Sequence, residues 1–166
     1  MDRDGVINVD KQFVYKIHEF EFIEGVFDAL KYLISKNFSL FIVTNQSGIG
    51  RKLYSIKDFE KLNTWMLNKF LDEKIVINEV QFCYHHPDEN CDCRKPKTGM
   101  IDQILKKNNI DLNQSWLIGD KDIDMELAIN SKIKNKLQVR SGKYFEEKKS
   151  KADFIIDSIK DIKKII

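Results

Sequence analysis

The 166-residue sequence has only two prolines and seven glycines, so no stretch reads as an interdomain linker or a low-complexity tract. No apolar run reaches the roughly 18 residues that a membrane-spanning helix needs. Nor does a hydrophobic segment follow the start as a secretory leader would. An excess of one charge is missing too: 28 basic residues face 26 acidic ones, a net of +2, which gives a polyanion no bulk attraction. The densest basic run, EEKKSK at 146–151, carries its own counter-charges. Neither nucleic acid nor a membrane is expected as a partner, and the expected location is cytoplasmic. Cysteine is scarce, yet Cys83, Cys91 and Cys93 are the whole complement of three. An odd number set so closely suits a metal better than a disulfide framework.

Short apolar runs alternate with segments of helical period, the pattern of an α/β domain with a mostly parallel sheet. Strands are predicted over 40–43, 80–84, 116–118, 137–139 and 154–156. Val26, Leu30 and Leu33 line one helical face; Phe59, Leu62, Met66 and Phe70 line another, opened by Ser55 and Asp58 as a capping box. Further helices are predicted over 99–108, 123–131 and 159–166. With 42% hydrophobic residues and no internal repeat, residues 1–166 are expected to form one domain. No long apolar helix face is left over, which favours a monomer.

The polar motifs fall directly after predicted strands, at FIVTNQSG, FCYHHP and WLIGD. In an open parallel sheet, ligands bind outside the carboxyl ends of the strands, so these motifs are expected to meet in one crevice. In WLIGDKDID, Asp120 and Asp124 would share a helix face and suit magnesium, though a Gly-Asp turn is also ordinary loop sequence. VTNQSG offers the Thr44 hydroxyl and the backbone N–H groups from Thr44 to Gly48, either a phosphoryl nest or a plain strand exit. Lys95 adds a fixed cation and Arg94 a bidentate phosphate grip, unless the pair simply decorates the surface.

Together the pieces describe phosphoryl transfer, with carboxylates for magnesium and with donors and cations around the phosphoryl oxygens. No serine or cysteine has a plausible base partner, so the nucleophile is read as a carboxylate, able to form an acyl phosphate. The opening MDRDGVIN supplies one in Asp2. Asp4, two residues on, is placed to protonate the leaving oxygen and then to deprotonate water.

The stretch CYHHPDENCDCRKP reads C-x-H-x5-C-x-C, making Cys83, His85, Cys91 and Cys93 a Cys3His set for tetrahedral zinc. No position is left open for catalysis, so the zinc is expected to be structural and to pin loop 83–93. His86 is read as a hydrogen-bonding neighbour. Arg94 and Lys95 follow Cys93 directly, so the loop would position both cations.

DRDGVIN, VTNQSG, the lysine of RKP and GDKDID resemble, in order, the four signature motifs of the haloacid dehalogenase (HAD) phosphatase superfamily, over essentially the whole chain. The resemblance implies a three-layer Rossmann-like fold with helices on both faces of the sheet, capless, with a small zinc-binding loop. It implies Asp2 as nucleophile, Asp4 as acid/base, Thr44 and Lys95 as phosphoryl stabilisers, and magnesium on Asp2, the main chain of Asp4, and Asp120. It also implies a central strand before the first aspartate; only Met1 stands there, so the sequence is expected to start late with that strand truncated.

The zinc loop, NVDKQFVYKIHEFEFIEGV and SGIGR further resemble the heptose bisphosphate phosphatases, which remove the 7-phosphate of D-glycero-D-manno-heptose 1,7-bisphosphate in making nucleotide-activated heptose. A small phosphorylated sugar is thereby implied as substrate. The implied contacts are Asp10, Lys11, Gln12, Phe13, Thr44, Asn45, Gln46, Ser47, Arg94, Lys95 and Lys121. Histidinol-phosphate phosphatases share the zinc loop, so histidinol phosphate is the alternative substrate. Asp10 and Glu19 would suit its amine, whereas Arg94, Arg51 and Lys121 would suit a bisphosphate. Outside the enzyme class, the alternative is a phosphate-binding module without turnover.

Overall fold

A computed structural model describes all 166 residues. Five strands, β1 (Phe41–Asn45), β2 (Glu79–Cys83), β3 (Trp116–Gly119), β4 (Asn135–Val139) and β5 (Phe154–Ile156), lie where the apolar runs predict them, within a residue or two at most ends. β1 pairs in parallel with β2, and β4 pairs in parallel with both β3 and β5. Met1 and Asp2 join the two half-sheets. Met1 N donates to Phe41 O at 2.8 Å, Val43 N donates to Met1 O at 2.9 Å, and Asp2 N donates to Ile118 O at 2.9 Å. Below Met1 the edges of β1 and β3 face each other across an apolar cavity of about 560 Å³, lined by Leu40, Phe41, Trp116 and Ile118 among others.

Both faces of the sheet are covered, and the strands show it residue by residue. Ile42 and Ile118 belong to a large apolar cluster with the buried faces of α1 (Val26–Ser35) and α3 (Ile56–Asp72). Their neighbours Val43 and Leu117 belong to a second cluster with Met100 and Ile104 of α4 (Gly99–Lys107) and Leu127 and Ala128 of α5 (Asp122–Asn130). Successive strand residues point to opposite faces, so the two clusters are the two sides of one layer. The capping box opens α3 as the sequence predicts: Asp58 N donates to Ser55 Oγ at 3.2 Å, and Ser55 N donates to Asp58 Oδ2 at 2.8 Å.

One element differs. The segment predicted as a helix over 159–166 is a 3-10 helix, Ile159–Lys164. Ile159 and Ile162, three apart, are both fully buried, and a three-residue turn stacks them on one side.

Phe70 is fully buried where its ring meets Phe22 at 5.5 Å and Phe27 at 5.4 Å between centroids. Phe70→Ala is expected to destabilise the fold by about 3–5 kcal/mol. Urea unfolding should show this as a lower midpoint with an unchanged slope.

Candidate active site

The carboxyl ends of the strands open onto a polar crevice of about 280 Å³ with Asp2 and Lys95 among its lining. β1 delivers Thr44 and Asn45, and the short α2 (Ser47–Gly50) follows Gln46. β3 delivers Asp120 and Lys121, and the segment after β4 delivers Lys143.

The Lys95 ammonium is buried between two carboxylates, 2.8 Å from Asp2 Oδ2 and 2.6 Å from Asp124 Oδ1, and donates to Val43 O at 3.1 Å. Burial alone would raise the Asp2 carboxyl, but Lys95, Lys121 and the N–H of Arg3 outweigh it and hold it below its ordinary range. Burial likewise opposes the Lys95 charge and is outweighed by Asp124 and Asp2, so the lysine is held protonated. Asp120 and Asp124 shift the other way, Asp124 raised chiefly by its burial. At Asp120 burial, then the charge of Asp2, push the carboxyl up to about 6.

Asp120 is gripped by backbone. Lys143 N donates to its Oδ2 at 2.9 Å, and a Cβ at Gly5, where φ is +84°, would lie 2.6 Å from that oxygen. The glycine after Asp4 therefore serves both a left-handed turn and the close approach of a carboxylate.

Asp4 forms the adjoining wall. Its carboxylate accepts from Arg3 Nη2 at 2.8 and 2.9 Å, Asn8 Nδ2 at 3.0 Å and Gln46 Nε2 at 3.1 Å. Arg3 is itself buried, with its guanidinium 5.8 Å from the Phe59 ring centre. Gln46 is fixed in turn by Thr44 Oγ1, which accepts at 3.0 Å, and by Tyr54, whose hydroxyl donates to Gln46 Oε1 at 2.6 Å. Burial pushes that phenol up to about 12, so Tyr54 stays a donor.

Two groups of side chains could hold metal ions. Asp2, Asp120 and Asp124 bring carboxylate oxygens within 4.8 Å of one another, and Cys83, His85, Cys91 and Cys93 do the same with sulfur and nitrogen. In the second group Cys83 Sγ lies 3.7 Å from Cys91 Sγ and 3.7 Å from His85 Nδ1, which lies 3.2 Å from Cys93 Sγ. A tetrahedron with bonds of about 2.0–2.3 Å has edges of about 3.3–3.8 Å, so the four donors are spaced for zinc. His86 stands outside the group and accepts from Asp88 N at 3.3 Å.

Most of the residues expected at the site are brought together. Asp10, Gln12 and Phe13 form one lip, Asn45, Gln46 and Ser47 another, and Arg94, Lys95 and Lys121 complete the lining. Thr44 lies buried beneath that surface. Lys11 does not line the crevice: its ammonium pairs with Glu21 at 2.8 Å. Arg51 is exposed and also outside the lining. Lys143, Tyr54 and Ile123 line the crevice without having been singled out. The same strand-end rule, applied to RSGKY after β4, points to Lys143.

Comparison with known proteins finds relatives over the length of the chain. A HAD-hydrolase-like family profile matches residues 92–162. The chain is 43% identical to a D-glycero-beta-D-manno-heptose-1,7-bisphosphate 7-phosphatase of Haemophilus ducreyi, over 98% of this chain and 93% of that protein. It is 41% identical to the corresponding alpha-heptose enzyme of Campylobacter jejuni, over 100% of this chain and 91% of that one. A crystal structure of D,D-heptose 1.7-bisphosphate phosphatase from B. bronchiseptica, complexed with magnesium and phosphate, superposes with a TM-score of 0.84 at 25% identity, covering 98% of this chain and 93% of the other.

Lys95→Met would leave Asp2 and Asp124 facing each other with no cation between them. The expected loss is about 3–5 kcal/mol. Adding Asp124→Asn should recover part of it, and a double-mutant cycle in urea with no coupling between the two sites would contradict the bridge.

Proposed function

Because the chain belongs to the HAD-like family of heptose-1,7-bisphosphate 7-phosphatases, we propose that this crevice removes the 7-phosphate of D-glycero-D-manno-heptose 1,7-bisphosphate. The observation that carries the reading is the meeting of Asp2, Asp4, Lys95 and Asp120 at one crevice, in a chain similar over its length to a phosphatase holding magnesium and phosphate. The proposed enzyme is a phosphoric monoester hydrolase that works as a cytoplasmic monomer in making nucleotide-activated heptose.

The acidic floor fits magnesium. Its donors are hard oxygens, and the raised carboxyl of Asp120 marks negative charge crowded out of water, which a divalent cation would relieve. Asp2, Asp120 and the main-chain carbonyl of Asp4 would hold the ion, while Lys95 joins Asp2 to Asp124. Magnesium, when bound, neutralises charge on the phosphoryl oxygens.

The protein's own residues carry the bond changes. An oxygen of Asp2, kept ionised by Lys95, forms the new bond to phosphorus while the bond from phosphorus to the sugar oxygen breaks, leaving an aspartyl phosphate. The departing oxygen takes a proton from Asp4. Asp4 then accepts a proton from water, whose oxygen displaces Asp2 and releases inorganic phosphate. The clamp of Arg3, Asn8 and Gln46 fixes the direction in which the Asp4 carboxyl faces the crevice. Thr44 and Lys95 stabilise the transferring phosphoryl group.

The charge pattern favours the heptose over histidinol phosphate. Asp10 is shared by Lys121 at 3.7 Å and Lys143 at 3.4 Å, which leaves it no free charge for a substrate amine. Glu19 lies outside the crevice lining, beside Lys16.

With magnesium present, phosphate release is expected from heptose 1,7-bisphosphate with strong preference over histidinol phosphate. Asp2→Asn should reduce it by roughly a thousandfold or more. A turnover rate indifferent to that substitution would refute Asp2 as nucleophile. Silence on both sugars and amines would instead favour a phosphate-binding module.

Zinc on Cys83, His85, Cys91 and Cys93 is proposed to be structural. Metal analysis is expected to find one zinc ion per chain, and its removal by chelation should lower activity and the unfolding temperature together. Full activity in protein free of zinc would exclude that role.

A further inference from the structure

The cations of the crevice differ in what already holds them. Lys95 directs its ammonium at three acceptors: Asp2, Asp124 and Val43 O. Lys121 lies 3.2 Å from Asp120 and 3.7 Å from Asp10. Neither has charge to give to a second anionic group on the substrate. Two cations do: Arg94, whose Nη1 has no partner, and Lys143. The single carboxylate neighbour of Lys143 is Asp10 at 3.4 Å, and its side chain is 44% exposed, against 31% for Lys121, which places it towards the mouth.

Asp10 carries one negative charge between two lysines, so Lys143 has only a shared carboxylate while Lys121 also has Asp120. The root of Lys143 is fixed, while its tip meets only Asp10. Its N–H donates to Asp120 Oδ2 at 2.9 Å, and Ser141 Oγ two residues earlier donates to Gly5 O at 2.6 Å. A side chain anchored at the metal-binding carboxylate and reaching outward spans from the reacting phosphate towards whatever lies beyond it on the substrate.

We propose that Lys143 is a specificity-determining residue that binds the second phosphate of the sugar bisphosphate, an inference that rests on the function proposed above. A phosphate oxygen would replace Asp10 as the partner of its ammonium, and Asp10 would remain with Lys121. The ammonium-phosphate contact is charge-assisted and more favourable than any contact with a sugar hydroxyl. A monophosphate offers Lys143 nothing comparable, so the residue separates the two substrates by binding rather than by chemistry.

The test compares wild type, Lys143→Met and Lys143→Arg on heptose 1,7-bisphosphate and on heptose 7-phosphate. Methionine keeps the apolar stem and the backbone N–H that holds Asp120. The expected result is a KM for the bisphosphate raised about tenfold by Lys143→Met, with kcat within about twofold. The KM for heptose 7-phosphate should not move, and Lys143→Arg should restore most of the bisphosphate affinity. An equal loss on both substrates would make Lys143 part of the general machinery and overturn the proposal, as would no change on either. A wild-type enzyme that releases no phosphate from the bisphosphate would overturn the functional reading itself, an outcome distinct from a failure of Lys143 alone.

Discussion

The ammonium of Lys95, buried among the carboxylates of Asp2 and Asp124 and the carbonyl of Val43, ties together four separate parts of the chain. Each carboxylate taken out of water carries a desolvation penalty of several kcal/mol, and only a close opposite charge offsets it. The lysine must therefore arrive at the crevice floor whenever the sheet forms, and the structure delivers it by backbone. Lys95 N donates to Asn45 Oδ1 at 3.0 Å, and Asn45 Nδ2 donates back to Lys95 O at 3.4 Å. Asn45, at the end of β1, thus fixes Lys95 in place from the strand that also carries Thr44.

That dependence explains the four soft ligands just before Lys95. Loop 83–93 is short and mostly polar, and it buries only Cys83 fully. It has too little apolar surface to offset the entropy of ordering itself. A metal held by Cys83, His85, Cys91 and Cys93 would supply that free energy without a core. The loop also reaches the phosphoryl nest: Gln46 N donates to Cys83 O at 2.7 Å, and Gly50 lies so close to the backbone of His85 and His86 that no side chain would fit there. The Cys3His loop and the crevice are thus joined by backbone contact.

Much of this was legible in the sequence because its signals are local and periodic. Parallel strands buried on both faces leave apolar runs, the Ser55 and Asp58 cap has a fixed spacing, and C-x-H-x5-C-x-C names its own ligands. Signals that depend on tertiary neighbours were hidden. Lys11 is a lysine beside a polar loop, and nothing in KQF shows that Glu21 takes its ammonium away from the crevice. The same holds for Tyr54, whose hydroxyl reaches the active-site wall only because α2 turns the chain back towards Gln46. The C-terminal segment was misread for a related reason: its isoleucines suit two helical periods, and packing against α1 and β5 selects the tighter one.

The opening MDRDGVIN shows how far one short stretch can be committed. Asp2 faces Lys95, Arg3 turns inward to hold Asp4, Asp4 faces Gln46, and Gly5 makes room for Asp120. The chain bends at Arg3 and turns from Gly5, and two acidic residues flanking a basic one thereby place both carboxylates at the crevice and the cation behind them. Arg3 leaves Nε and Nη1 without partners while Nη2 serves Asp4 and Val14 O. An incompletely satisfied buried guanidinium is costly on its own. Here Nη2 orients the Asp4 carboxylate from behind, leaving the face of Asp4 towards the crevice open.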